Sequence, residues 1–313
     1  MKKYFSYILI IFLLTSFARD KEKREYIGGR FISNYEKHEG KIDGKYVSRY
    51  KNGRIRSVGY FNSNCRQGKW LVWDSTGKYC TERIYENLFS YKIRKPKLPK
   101  NELVDLLNVS IYDMKYNSKG FIDLFILQER AVYWEKRLWR FIPEKNNEIL
   151  FNENSLINII NDYAFKDSIQ LYKDDEFLMK LKYINFNNKK IIGYKIKEDS
   201  FFDTDRYLFE TRILGICPVY IDNMSKDTTD LYWIYYPQIR QYLSTVIPSN
   251  FHKVSNVKTY DDIFLFRNFY SVIYKSGWVF NKVEKKDLIQ KENEKDEIEL
   301  IEKEHDLWLD FIR

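Results

Sequence analysis

An internal repeat with a period of 24 residues, within residues 44–92, restricts the local fold more than any other feature of the chain. Residues 44–54 read GKYVSRYKNGR, and residues 68–78 read GKWLVWDSTGK. Each unit begins with glycine, carries Tyr46 or Trp70 at its third position, and has a second glycine at its tenth. Because such a short unit can bury its apolar face only against a neighbour, stacked units are predicted.

The repeated units have the pattern of β-hairpins. Tyr46, Ser48 and Tyr50 occupy every second position, and this period of two is typical of a half-buried strand. Residues 52–53 (Asn-Gly) can both take positive φ and predict a tight turn, and residues 76–77 (Thr-Gly) form a weaker version of it. A degenerate earlier unit is predicted around residues 29–31, ending at Gly40.

The repeats resemble MORN-type repeats, which read G-x-[YW]-x-x-[YW]-x-x-G. The resemblance implies a small antiparallel β-hairpin domain over residues 19–92, either a docking surface or a β ribbon that caps the next domain. Basic residues and prolines mark residues 93–100 as an extended linker. A larger mixed domain follows over residues 101–313, so the predicted fold class is α+β.

The N-terminus has the pattern of a secretory signal peptide. Two lysines follow Met1, residues 5–14 are almost wholly apolar, and residues 16–18 (Ser-Phe-Ala) fit a cleavage site. The apolar run is short for a bilayer span, although an uncleaved anchor is the alternative. We expect residues 1–18 to be removed near Ala18, with no integral membrane span in the mature chain.

Three cysteines follow, at positions 65, 80 and 217. Export permits disulfides, and Cys65 and Cys80 are close enough in sequence to be a candidate pair. An odd count leaves one thiol over, most simply Cys217. Beside a Gly-Ile segment, Cys217 is interpreted as a small buried apolar residue.

No catalytic, cofactor-binding or metal-binding residue is predicted. The formal net charge of +9 would suit nucleic acid, anionic lipid or an acidic protein, and the signal peptide argues against nucleic acid. His38, His252 and His305 are isolated and lack metal-ligand spacing. There is no Gly-rich phosphate loop and no Gly-x-Ser-x-Gly segment. An envelope hydrolase stays open as an alternative, since glycosidase carboxylates have no local signature.

Hydrophobic spacing predicts mixed secondary structure after residue 101. Helices are predicted over Leu103–Val109, Gly120–Arg140 and a short segment from residue 155 capped by Asn154 or Ser155. The predicted strands are Leu178–Tyr183, Ile191–Ile196, Arg212–Val219 and Leu231–Tyr236.

Thr259 begins another predicted helix. Its side chain can cap the free amides together with Asp262, as in a capping box. Asp261 and Asp262 diverge by about 100° on a helix, so they do not form a catalytic pair. The predicted apolar stripe of this helix is Ile263, Phe266, Tyr270 and Ile273.

The C-terminal tail is predicted to end in an amphipathic helix. This helix either docks onto a partner or, as most such helices do, packs on its own domain. Its shared face consists of Ile298, Ile301, His305, Trp308 and Ile312.

Five segments, in this order, resemble the gliding-motility protein N family (GldN/PorN), a periplasmic component of the type IX secretion apparatus. They are Trp134 with Trp139-Arg140; Phe201-Phe202-Asp203 with Glu210, Arg212–Ile216 and Pro218; Trp233–Pro237; Thr259–Asp262 with Phe264, Arg267, Phe269 and Ser271; and Glu304–Trp308. The resemblance covers about residues 101–313. It departs at residues 275–277 (Lys-Ser-Gly), and the N-terminal repeats are not part of the usual family plan.

The resemblance implies a non-catalytic periplasmic assembly subunit associated with the outer membrane. Its expected partners are an outer-membrane lipoprotein of the gliding-motility K type, other type IX secretion subunits and further copies of itself in a ring. An envelope-located hydrolase, or a MORN-type binding module unrelated to secretion, is the alternative. The candidate partner-binding residues are Trp134, Trp139, Arg140, Arg212, Trp233, Tyr236, Arg267 and Trp308.

Overall fold

The computed structural model describes residues 21–85, 91–95, 117–124, 127–152, 155–166, 168–182, 189–221, 227–248, 257–277 and 293–310. These residues form an N-terminal antiparallel sheet, sheet 1, and a second antiparallel sheet with helices, sheet 2. The predicted α+β class is therefore confirmed. No helix in the described part of the chain combines the length and apolarity that a bilayer crossing requires.

Sheet 1 is a seven-stranded meander in which each strand pairs with the next one along the chain. Its strands are β1 (Glu22–Ile27), β2 (Phe31–His38), β3 (Lys41–Tyr50), β4 (Ile55–Asn62), β5 (Cys65–Trp73), β6 (Cys80–Tyr85) and β7 (Tyr91–Lys95). Strand β7 extends past residue 92, so the first residues of the predicted linker belong to the sheet.

The hairpin turns of sheet 1 lie where the repeat places them. Gly53 and Gly77 take the positive φ angles predicted for them, 83° and 75°, in the β3–β4 and β5–β6 turns, whereas Asn52 does not take a positive φ. Gly40 (φ 76°) and Asn64 (φ 69°) occupy the β2–β3 and β4–β5 turns, also one period apart. The earlier unit is therefore a hairpin as well.

The inner face of sheet 1 is aromatic and closely packed. Tyr46 and Trp70, equivalent residues of the two repeats, are fully buried with ring centroids 5.8 Å apart. Gly59 lies opposite Tyr46 on β4, and a Cβ there would approach Trp70 to 2.1 Å. The missing side chain at Gly59 therefore provides the space for the indole.

Sheet 2 is built on three long antiparallel strands, in the order β10-β9-β14-β12-β11-β8-β15 with β13 beside β12. Its strands are β8 (Val132–Pro143), β9 (Leu171–Tyr172), β10 (Lys180–Leu181), β11 (Ile191–Asp203), β12 (Leu208–Ile221), β13 (Thr228–Asp230), β14 (Trp233–Tyr235) and β15 (Val272–Gly277).

Three helices, α1 (Leu156–Phe165), α2 (Tyr236–Leu243) and α3 (Tyr260–Leu265), share one large apolar core with sheet 2. Ser155 occupies the N-cap position of α1, one of the two predicted positions, but its side chain makes no capping hydrogen bond. The Thr259–Asp262 capping box at α3 is confirmed, with both of its hydrogen bonds present.

Helix α4 (Asn293–Asp310) packs on the inner face of sheet 1 and shares a core with it. Ile298, Ile301, His305 and Trp308 are buried there, while Ile312 lies outside the described residues. The tail helix therefore packs on its own chain, which is the second of the two predicted alternatives.

The predicted helix over Gly120–Arg140 is wrong, because residues 132–140 of this segment belong to strand β8. The segment VYWEKRLWRFIP is rich in β-branched and aromatic residues, which favour strands. Burial on both faces hides the alternation that identifies a half-buried strand. The predicted helix Leu103–Val109 lies outside the described residues.

The boundaries of four other elements also differ from the predictions. Helix α3 ends at Leu265, so Phe266, Tyr270 and Ile273 do not continue its stripe. The predicted strand at Leu231–Tyr236 is only β14, because Tyr236 begins α2. The predicted strand from Leu178 is reduced to β10, and that from Ile191 is longer than predicted.

The candidate disulfide between Cys65 and Cys80 is absent, and all three cysteines are free. Cys80 pairs with Trp73 at the end of β5, whereas Cys65 begins that strand. Eight residues of extended chain span roughly 26 Å, and a disulfide requires Cα atoms within about 7 Å. Cys217 is fully buried, as predicted.

Candidate functional site

A cluster of four charged side chains, the central cluster, joins sheet 2 to α4, and two of the four are buried. It consists of Arg140 on β8, Glu198 on β11, Arg267 after α3, and Glu297 on α4. Arg140 donates to both glutamates at 2.5 Å. Arg267 donates to Glu198 at 2.9 and 3.2 Å. Four segments distant in sequence are thus held together by one set of ion pairs.

Glu198 is completely buried within the central cluster. Burial alone would raise the pKa of its carboxyl, but Arg267 and Arg140 lower it below the usual range. Glu198 therefore stays ionised, and its negative charge is balanced by two guanidinium groups. Removing either partner would leave a buried charge poorly compensated, which is costly.

A second set of buried polar contacts fixes α4 on sheet 1. Tyr46 donates its hydroxyl hydrogen to Glu302 at 2.7 Å, and the guanidinium of Arg56 bonds the Glu302 carboxylate and backbone carbonyl. Arg56 also reaches Asp306 at 2.9 Å, and Arg66 reaches Glu304 at 2.6 Å. These contacts set the position of α4 on the strands.

Trp308 completes the contact between α4 and sheet 1. Its fully buried indole stacks on Tyr85 at 6.3 Å. The guanidinium groups of Arg83 and Arg66 lie 4.1 and 5.0 Å from the indole. Aromatic and cation–π contacts therefore hold Trp308 against sheet 1 of its own chain.

Tyr236 and Arg240 of α2 hold the start of α3. Arg240 makes a bidentate pair with Asp261 at 2.9 Å for each oxygen, and the Tyr236 hydroxyl donates to the same carboxylate at 3.0 Å. Asp262 instead accepts from the backbone of Thr259. The two adjacent aspartates have separate structural roles, as the helix geometry predicts.

Trp139 and Trp233 pack with Cys217 in a small core on sheet 2. Both indoles are almost entirely buried, and Trp139 donates its Nε1–H to Asp175 at 2.8 Å. Burial raises the pKa of the Cys217 thiol well above its ordinary value, which keeps it protonated. This site is therefore a packing site.

Trp134, Arg212 and Arg267 keep partial exposure among the eight candidate residues. Trp134 stacks on Phe209 at 5.5 Å. Arg212 binds Glu210 at 2.6 and 3.3 Å. The other five candidates are buried and contact their own chain: Trp139, Arg140, Trp233, Tyr236 and Trp308.

The structure also contains functional-site residues that the sequence analysis missed. Glu198, Glu297 and Glu302 supply the carboxylates that hold Arg140, Arg267 and α4. Their partners lie 58 to 256 positions away in the chain, so no local spacing reveals them. The sequence does contain one sign of buried polar positions. Ser33, Ser57 and Thr81 are buried, and they lie one 24-residue period apart.

A cleft of about 200 Å³ lies between sheet 1, sheet 2 and α4. Its lining includes Glu210, Glu297 and Glu304, and each of these carboxylates contacts an arginine. Among the described residues there is no cluster of His, Cys, Asp or Glu that could hold a metal ion. The cleft therefore offers no free acid–base pair from those three glutamates.

The family model described as gliding motility associated protein GldN matches residues 127–188 and 179–309, more than half of the chain. The matched region contains sheet 2, the central cluster and α4, whereas the strands of sheet 1 precede it. A comparison with curated proteins found no match. The chain therefore belongs to the GldN family, which takes part in gliding motility and type IX secretion.

Proposed function

We propose that this protein is a non-catalytic periplasmic subunit of the type IX secretion and gliding apparatus. It assembles with an outer-membrane lipoprotein of the gliding-motility K type, with other secretion subunits and with further copies of itself. The observation that carries the proposal is that residues of the family's motifs form structural contacts. Arg140, Arg267 and the segment Glu304–Trp308 join sheet 2, α4 and sheet 1 into one body.

The ion pairs support a structural role for the conspicuous carboxylates. A general acid or base needs a carboxyl that can reach substrate and change protonation. Glu198 and Asp261 are at most 1% exposed and each binds an arginine. Both are placed to stabilise the packing of elements, which favours an assembly protein over an envelope hydrolase.

We propose that one role of sheet 1 is to hold α4 in position. Its inner face is filled by the helix, whereas its outer face carries Val47, Val58 and Leu71 in adjacent register on three strands. These side chains are only partly buried. We propose that sheet 1 is built of MORN-type repeats and that this outer row is the face available to a partner.

On sheet 2, partner contacts are assigned to the partly exposed candidates Trp134 and Arg212, which lie on opposite faces because they align with Phe202 and Asp199 of β11. Affinity purification of the tagged protein from envelope extracts tests this assignment. The expected result is a large complex containing the lipoprotein, reduced when Trp134 and Arg212 are both replaced by alanine. Tyr133→Ala is the control, because Tyr133 is 60% exposed on the same strand as Trp134 and is not one of the candidate residues.

Two outcomes would contradict the assembly proposal. One is recovery of the protein and the lipoprotein as separate small species in sedimentation. The other is hydrolysis of cell-wall sugars by the purified chain, which would favour the enzyme. Export is tested separately, since N-terminal sequencing of the protein from the periplasm should begin near Arg19.

A further inference from the structure

The loop between β9 and β10, residues 173–179, presents two apolar side chains to solvent. Leu178 is 79% exposed and Met179 is 54% exposed. We refer to these two residues as the apolar tip. Tyr235 on the neighbouring strand is also exposed. Exposed apolar side chains that are adjacent and beside a sheet edge are more informative than scattered ones.

The loop is held in shape by its own hydrogen bonds. The Asp174 carboxylate accepts from the backbone N–H groups of Glu176, Leu178 and Met179 at 3.0, 3.3 and 2.8 Å. Lys173 N–H donates to the Met179 carbonyl at 2.8 Å and closes the loop. The apolar tip is therefore displayed by a fixed backbone.

Phe177 anchors the loop on sheet 2. It takes a positive φ of 58°, which is unfavourable for a bulky residue, and its ring packs on Tyr172 and Tyr235 at 5.6 and 5.4 Å. Gly215 leaves room for this ring, because a Cβ there would lie 2.6 Å from it. Packing of Phe177 compensates for the strained backbone.

The acidic residues of the loop are engaged by the protein itself. Asp174 accepts the three N–H groups described above. The buried Lys197 ammonium contacts Glu176 at 3.3 Å and the Asp175 carbonyl at 2.6 Å. By contrast, Lys173, Lys180 and Lys182 are exposed. These three lysines, the basic rim, make no ion pair among the described residues.

We propose that the apolar tip and the basic rim form a peripheral membrane-binding site for anionic lipid. Leu178 and Met179 would enter the boundary between headgroups and acyl chains, and the lysines would contact the anionic headgroups. A lipid surface fits better than a paired strand from another protein, because β10 has only two residues and edge lysines discourage strand pairing.

Vesicle co-sedimentation tests the site. Because residues 5–14 would partition into lipid by themselves, the protein should begin at Arg19, the expected mature start. It should bind phosphatidylglycerol-containing vesicles and not phosphatidylcholine alone, and binding should weaken with salt. Replacing Leu178 and Met179 together by serine should lower partitioning about tenfold or more.

Two comparison variants identify the source of binding. Ile27→Ser removes an equally conspicuous exposed apolar residue, 68% exposed on sheet 1, and should leave binding unchanged. Replacing the three basic-rim lysines by glutamine should abolish the salt-sensitive part of vesicle binding. Circular dichroism should show the native fold in all variants, since the changed side chains are exposed.

Equal vesicle binding by the native protein and the Leu178/Met179 variant would overturn the proposal, as would no binding to anionic vesicles. Loss of the large envelope complex in that variant, without vesicle binding by the native protein, would instead identify a protein contact. The vesicle assay contains no secretion subunit, so its outcome is separate from that of the assembly proposal.

Discussion

Single buried residues control how closely the strands of sheet 1 and α4 can pack. Gly59 admits the Trp70 indole, and His305 lies fully buried between Tyr46 and Trp70 at ring distances of 6.2 and 5.5 Å. Neither position has free space or solvent around it to accommodate a substitution. Both therefore allow sharp predictions.

Gly59→Ala should destabilise the protein by about 1–3 kcal/mol, because the added methyl must displace the buried indole of Trp70. Urea denaturation measures the change in free energy of unfolding. Gly29→Ala is the matched control, because no atom lies within 4 Å of a Cβ at that position. Equal stability of the two variants would contradict the described packing.

The protein should lose stability as the pH falls from about 6.5 to 4. Burial lowers the pKa of His305 from 6.5 to about 4, although Glu302 opposes the shift. The unfolded chain therefore binds more protons than the folded chain between these values, and unfolding is favoured as the pH falls. The loss from this group amounts to at most about 3 kcal/mol.

Other charged groups face His305 and extend this acid sensitivity. Glu302 lies on the same helix, and Arg66 and Arg56 approach from sheet 1. Burial alone would raise the pKa of Glu302, but His305 and Arg56 lower it to about 2, so its contribution is lost between pH 4.5 and 2. Denaturation of His305→Asn should show a smaller slope of stability with pH between 4 and 6.5. An unchanged slope would rule out His305 as the cause.

Helix α4 is the element on which both sheets depend. It contributes Glu297 to the central cluster and Glu302, Glu304 and Asp306 to sheet 1. Buried ion pairs add modest net stability compared with apolar packing, but breaking one is costly. The helix is therefore held in one position by charges that need specific partners.

A double-mutant cycle tests the contact between Arg56 and Glu302. Arg56→Met and Glu302→Gln should each cost about 3–5 kcal/mol, because each leaves a buried partner uncompensated. Together they should cost less than the sum of the two. Arg24→Ala is the control, since its pair with Glu22 is exposed and worth at most about 1 kcal/mol. Additive effects at Arg56 and Glu302 would refute the coupling.

The whole molecule should unfold as one cooperative unit. One apolar cluster contains side chains from sheet 1, α4 and Phe202 of sheet 2. The Asn64 side chain also donates to the Phe269 carbonyl at 3.4 Å, and Gly40 lies against the Tyr270 ring. These contacts join the two sheets at a second place, away from α4.

Calorimetry of the chain from Arg19 should therefore show a single transition, with calorimetric and van't Hoff enthalpies in agreement. Removing residues 293–313 should destabilise sheet 1 as well, because its inner aromatic face would be exposed. Protection of backbone amides in β3 and β5 from hydrogen exchange measures this effect. Two separate transitions in the full chain would show that the sheets fold independently.

Local patterns in the sequence predict the parts of this fold that depend on neighbours in the chain. The 24-residue period predicts the hairpins of sheet 1, because its turns require glycine or asparagine at fixed positions. Thr259 and Asp262 predict their capping box for the same local reason. The motif order from Trp134 to Trp308 also suffices to recognise the GldN family.

Only the tertiary structure decides where those residues act. The segment around Trp139 carries spacing compatible with a helix, yet pairing with β11 and β15 makes it an interior strand of sheet 2. Arg140 and Trp308 are compatible with surface contacts until their distant partners are known. Burial and ion pairing depend on contacts between residues far apart in the chain. A single sequence does not show which distant residues are in contact.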